Sequence, residues 1–167
     1  GKVWTSEGYI APLLATNTPG LDLHPGDVVV MSGGATGIGA HLARSLAPFH
    51  PCLVFLGRTS LESCAGEKRA LEITRTLADL HAAGIEASYH VCDVADPEAV
   101  RAVLGEVVDR YGQIRGIIHG AGVLRDTFLS QMTAEEFSLV TDIKFLGAWN
   151  LFQAVDKAGL RFFTALS

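Results

Sequence analysis

An apolar run, Val28-Val29-Val30-Met31, breaks into Ser32-Gly33-Gly34-Ala35-Thr36-Gly37-Ile38-Gly39 and re-emerges as Ala40-His41-Leu42-Ala43-Arg44-Ser45-Leu46. Physically this is a buried strand, a tight glycine turn and a helix start. Such a turn aims free backbone N–H groups and the positive helix end at a phosphate. The glycines at Gly33, Gly37 and Gly39 form a G-x-x-x-G-x-G variant of the dinucleotide fingerprint, because Ala35 stands where G-x-G-x-x-G needs its second glycine. A phosphate loop of the Walker type is excluded more clearly: Ala40-His41 follow Gly39 where Lys and Ser/Thr are required. A glycine turn with no ligand is the alternative, and the strand before and helix after favour the dinucleotide site.

The rest of the chain repeats the alternation. Strands are expected at Val28–Met31, Cys52–Leu56, Ala87–Val91, Ile114–His119 and Phe162–Leu166. Helices are expected at Ala40–Leu46, Gly66–Ala83, Pro97–Arg110 and Thr133–Ala158. Asp96-Pro97-Glu98 and Thr133-Ala134-Glu135-Glu136 read as helix starts, and Gly84 as a helix stop. Five strands separated by helices call for right-handed crossovers and a doubly wound parallel α/β sheet of the Rossmann kind. Residues 1–26, punctuated by Pro12, Pro19-Gly20 and Pro25-Gly26, read as a lead-in or linker from a neighbouring unit. Residues 27–167 read as the nucleotide-binding unit.

Composition narrows the ligand. The 167 residues are 49% hydrophobic and 19% charged, which suits one globular core. A net charge of −5 without a Lys/Arg cluster lacks the footprint of a nucleic-acid binder. No apolar run approaches the roughly 18 residues of a membrane span, so no membrane partner is expected and the cytoplasm is the expected compartment. Cys52, Cys64 and Cys92 have no paired spacing, and His90-x-Cys92-Asp93 has no second ligand pair, so no metal is assigned.

Ligands of such sheets lie beyond the carboxyl ends of the strands. After the second strand stand Arg58 and Thr59, where an NAD site would place Asp or Glu. Arg58 fits the 2′-phosphate of NADP, or is a solvated loop arginine. After the third strand, Asp93 with Val94 would meet the adenine, or Asp93 would satisfy local backbone donors. After the fourth, His119-Gly120-Ala121-Gly122 would let the backbone pass close to a nicotinamide ribose, or is a plain turn.

Ser32–Gly39, Cys92-Asp93-Val94 and His119-Gly120-Ala121-Gly122-Val123-Leu124 together resemble the short-chain dehydrogenase/reductase superfamily. Lys144-Phe145-Leu146-Gly147-Ala148-Trp149-Asn150-Leu151 narrows the resemblance to ketoreductase domains of polyketide and fatty-acid synthases, from about Asp27 to Ser167. The resemblance implies NADPH-dependent reduction of a β-ketoacyl thioester, carried by an acyl carrier protein, to the β-hydroxyacyl form, beside neighbouring synthase domains. It implies a cofactor site of Ser32, Gly33, Thr36, Gly37, Ile38, Gly39, Arg58, Thr59, Asp93, Val94, His119, Gly120, Ala121, Gly122 and Lys144. Lys144 would orient the ribose and lower the pKa of a catalytic tyrosine, and Ser167 aligns with the first of the family's serine pair. Lys144 and Ser167 are thus the expected catalytic positions.

The resemblance implies a catalytic tyrosine beyond Ser167, and Tyr9, Tyr89 and Tyr111 cannot substitute for it because they belong to segments with no route to the site. The chain is therefore expected to be a fragment, C-terminally incomplete at about five strands and inactive alone. A non-catalytic scaffold and a free-standing reductase are the other readings. Leu124-Arg125-Asp126 matches only in part a Leu-Asp-Asp marker of product configuration.

Overall fold

The computed structural model describes residues 21–62, 67–123, 125, 127–128 and 130–166. Among these, five parallel strands run β1 (Val28–Ser32), β2 (Cys52–Gly57), β3 (Ala87–Val91), β4 (Ile114–His119) and β5 (Phe162–Ala165). Four helices alternate with them: α1 (Gly37–Leu46), α2 (Lys68–Ala82), α3 (Pro97–Tyr111) and α4 (Ala134–Gln153).

The sheet order is β3-β2-β1-β4-β5. The chain winds outward from β1 to β3, then crosses back to place β4 on the other side of β1. That reversal opens a crevice at the carboxyl ends of β1 and β4, the place where such sheets bind ligands. The expected doubly wound α/β sheet is the one observed.

Alternation along the strands sends side chains to two cores. Val28, Val30, Val54 and Leu56 pack with Val100, Leu104 and Val107 of α3 and with Ile143 and Leu151 of α4. Val29, Met31, Leu53 and Phe55 pack on the opposite face with Ala43 and Leu46 of α1 and Ile73 and Leu80 of α2. Burial on both faces explains why the central strands are continuous apolar runs rather than alternating ones.

The helix ends follow local chemistry. Asp96 accepts hydrogen bonds from the amides of Glu98 and Ala99, with Pro97 at the first helical position. Thr133 and Glu136 exchange both bonds of a capping box. At the end of α2, Gly84 takes φ +75° as the helix stops.

One expected boundary is corrected. The fourth helix ends at Gln153, not Ala158, because the Asp156 carboxylate accepts from the Ala158 amide and from Gln113 Nε2. A side chain that satisfies nearby backbone donors competes with the helix ladder. The expected start of the second helix at Gly66, most of the 1–26 lead-in, Tyr9, Cys64, Ser167, and Leu124 and Asp126 of the configuration marker lie outside the described residues. No described helix is long and apolar enough to cross a membrane.

Candidate functional site

The two glycine segments meet backbone to backbone at the switch point. Gly33 has φ +66°, and a Cβ there would come within 2.8 Å of Ala121 Cα. The Gly120 amide donates to the Ser32 carbonyl at 2.9 Å, and the Gly33 amide to the Leu56 carbonyl at 2.9 Å. Gly39 lets α1 start directly on the turn, since a Cβ there would fall 2.4 Å from Gly34 Cα.

The start of α1 is chemically open. Thr36 stands at its N-cap without a capping hydrogen bond from its side chain, and the first turn carries no acidic residue. The first amides of a helix have no partner within it, so those of Gly37, Ile38 and Gly39 can meet an anion. Ile38 is itself 76% exposed.

In front of this helix start lies a cleft of about 530 Å³. Of the residues expected at the site, Gly33, Thr36, Arg58, Thr59, Asp93, Val94, Gly120, Ala121 and Gly122 line it. They come from the loops after four different strands, which only the parallel topology brings together. Arg58 Nη1 lies 3.9 Å from Asp93 Oδ2, both side chains about half exposed. An ion pair so wet and so long holds Arg58 only weakly, so the guanidinium can turn to another anion. Asp93 also accepts from the Ala95 amide at 3.0 Å, its local role.

Ser32, Gly37, Ile38, Gly39, His119 and Lys144 stand behind or beside the cleft rather than in its lining. Ser32 and His119 are each 1% exposed and turned toward one another, Oγ to Nδ1 at 2.6 Å. His119 Nε2 reaches the Ile143 carbonyl at 3.1 Å. Burial pushes the His119 imidazole below the ordinary histidine range. On α4, Lys144 Nζ donates to the Leu166 carbonyl at 2.6 Å. Its stem lies against Gly122, where a Cβ would be 2.9 Å from Lys144 Cε. Asn150 donates to the carbonyls of Val94 and Ala95, tying α4 to the loop after β3.

The lining also holds residues that were not expected at the site, among them Glu67 and Arg69 at the start of α2, and Tyr89. The expectation that Tyr89 has no route to the site is corrected. Gly57 lacks the side chain that would block its hydroxyl, 2.6 Å from a Cβ built there, so the phenol reaches the cleft from β3. Burial raises its pKa. It stands on the β2–β3 half of the sheet, across from Lys144 on the β4–β5 half. The signals available were the glycine that closes β2 and the basic pair Lys68-Arg69 on the following helix. Cys52 and Cys92 are buried thiols, pushed up to about 11 by burial.

Against known proteins, the family model described as the KR domain matches residues 27–167. The phenolphthiocerol synthesis polyketide synthase type I Pks15/1 of Mycobacterium marinum is 37% identical over 142 residues. That match covers 84% of this chain and 6% of the relative, so the chain spans a small part of the curated relative's length. A ketoreductase domain from the bacillaene assembly line superposes with a TM-score of 0.74 at 33% identity, covering 84% of this chain and 32% of that one. A metagenomic short-chain oxidoreductase solved in complex with NADP superposes with a TM-score of 0.67 at 26% identity, covering 79% of this chain and 56% of that one.

Proposed function

The chain belongs to the KR domain family, the ketoreductases of polyketide synthases built on the short-chain dehydrogenase/reductase fold, and from that premise we propose that residues 27–167 bind NADPH for the reduction of a β-ketoacyl thioester. The substrate is carried on the phosphopantetheine arm of an acyl carrier protein and leaves as the β-hydroxyacyl thioester, with other synthase domains as neighbours. Residues 1–26 are the lead-in to this unit.

One observation carries the reading: the unstoppered start of α1 faces the same cleft as the Gly120–Gly122 loop, at the point where the sheet reverses direction. A dinucleotide needs such an anion site midway between two pockets. The amides of 37–39 take the pyrophosphate. Arg58, with Thr59 and Arg69 beside it, takes the 2′-phosphate, because a guanidinium pairs with phosphate where a carboxylate would repel it. Asp93 and Val94 border the adenine, and Gly120–Gly122 give the nicotinamide ribose close access to backbone.

When bound, the coenzyme supplies the hydride. Lys144 holds positive charge beside Gly122, where it orients the ribose and favours the anionic form of the catalytic tyrosine that the family resemblance implies. Ser167 is carried over from the family resemblance as the first of the serine pair that supplies a donor to the developing alkoxide. A NADP-bound relative of the same fold supports the coenzyme class.

The test is a titration with NADPH and NADH, followed by turnover of a β-ketoacyl thioester, of the whole protein that contains both residues 27–167 and the catalytic tyrosine the resemblance implies. Preference for NADPH with thioester-dependent oxidation supports the reading. Binding of neither coenzyme refutes it.

A further inference from the structure

Ser32, Thr76 and His119 are the buried polar residues among those described, and two of the three face each other in register at the last positions of β1 and β4. Burying polar groups is costly unless each is hydrogen-bonded, and two apolar residues would pack this spot without that cost. What the pair adds is direction.

The Ile143 carbonyl can only accept, so Nε2 of His119 carries the proton. In the neutral ring, Nδ1 is then an acceptor, and the Ser32 hydroxyl must donate to it. Ser32 Oγ keeps a lone pair for the Ala121 amide, 3.4 Å away. A single oriented chain thus runs from the Ala121 N–H through Ser32 and His119 to the Ile143 carbonyl. It joins the first glycine turn, the second glycine loop and α4, and the next residue on α4 is Lys144.

Packing says the same. One turn further along α4, a Cβ on Gly147 would lie 3.0 Å from His119 Cε1 and 2.8 Å from Val94 Cγ2. The helix therefore rests on the imidazole with no side chain between them. The ring sets the height of the helix above the sheet.

We propose that His119 is a positioning residue that gauges the spacing between α4 and the two glycine loops and so fixes Lys144 against Gly122 at the edge of the cleft. The proposal rests on the coenzyme reading given above. His119 touches neither coenzyme nor substrate. Its effect passes through the Ile143 carbonyl and Gly147 to the lysine.

The experiment measures NADPH dissociation constants and kcat in the intact protein for four variants. Lys144→Ala first shows whether the lysine matters to turnover. His119→Asn keeps an amide near Ser32 but is too short to reach Ile143, whereas His119→Gln can again donate to that carbonyl. Gly147→Ala lifts α4 off the imidazole while leaving the side chains of Ser32 and His119 unsubstituted. His119→Asn is expected to lower kcat about tenfold or more while NADPH affinity stays within about threefold, and His119→Gln to recover a large part of the loss. Gly147→Ala is expected to repeat the kcat loss at unchanged affinity, and it decides the matter if His119→Asn does not fold.

Equal impairment of the Asn and Gln variants would overturn the proposal. So would a fall in melting temperature with kcat kept within about twofold, or affinity and kcat falling together. If the unsubstituted protein binds no NADPH, the coenzyme reading itself fails and this inference falls with it; if NADPH binds and Lys144→Ala turns over normally, this inference alone is overturned.

Discussion

The helices of this sheet begin in two different ways. At α3 and α4 the chain closes its own helix ends: Asp96 accepts from two amides, Thr133 and Glu136 form a capping box, and the first turns carry Glu98, Glu135 and Glu136. At α1 and α2 the N-cap side chains make no such bonds, and no acidic residue stands in the first turn. The closed starts, at Asp96 and Thr133, do not line the cleft. The open ones do, through Thr36 at α1 and through Glu67, Arg69 and Ile73 at α2. A capped helix end spends its dipole on stability, and an uncapped one keeps it for a ligand. The same chemical device, one side-chain oxygen, separates the helix starts closed by the chain itself from those left open toward the cleft.

The largest effect is expected from Gly39→Val. Its branched side chain would collide with the Gly34 backbone and unseat α1, so NADPH binding by fluorescence titration should fall about a hundredfold or more. Affinity within about threefold of the parent would mean that the open helix start is not the site.

Thr36→Asp would give α1 the kind of cap that α3 has. NADPH binding should weaken by about tenfold or more, as an anion occupies the place of the pyrophosphate, while the melting temperature holds or rises. A tighter complex would reverse the assignment.

Arg58→Ala should weaken NADPH by about tenfold and leave NADH within about twofold, erasing discrimination between them. Unchanged preference would transfer the 2′-phosphate to Arg69.

Acid should act through the buried imidazole. Because burial lowers the His119 pKa below the ordinary 6.5, the unfolded chain binds the proton more readily than the folded one. The stability this group contributes is complete above pH 6.5 and is lost as the pH falls below it. His90, also lowered by burial, adds a contribution of the same sign. Melting curves of His119→Asn should therefore show a shallower acid limb than the parent, and an identical limb would contradict the neutral, buried ring.

The smallest change belongs to a closed helix start. Asp96→Ala should cost about 1 kcal/mol of stability by denaturant titration and leave coenzyme affinity untouched.

Much of this could be read from the chain because the governing signals are local. The glycine turn after Val28–Met31, the Asp96-Pro97 start and the Thr133 capping box each act over a few residues, and the strand boundaries at Ala87–Val91 and Ile114–His119 match the expected ones. What escaped depends on residues far apart in the sequence. The end of α4 is set by Asp156 together with Gln113, whose amide arrives from the loop before β4. Tyr89 enters the cleft only because β3 lies in register beside β2, beneath Gly57. His119 reads as the first letter of a glycine motif, yet its side chain is committed to Ser32 and α4, contacts that only the folded sheet creates.

The most direct measurement is a crystal structure of the intact protein grown with NADPH. The account predicts pyrophosphate oxygens within about 3 Å of the backbone nitrogens at the start of α1, residues 37–39. A coenzyme seated elsewhere, or those nitrogens bonded to the protein's own atoms in its presence, would contradict it.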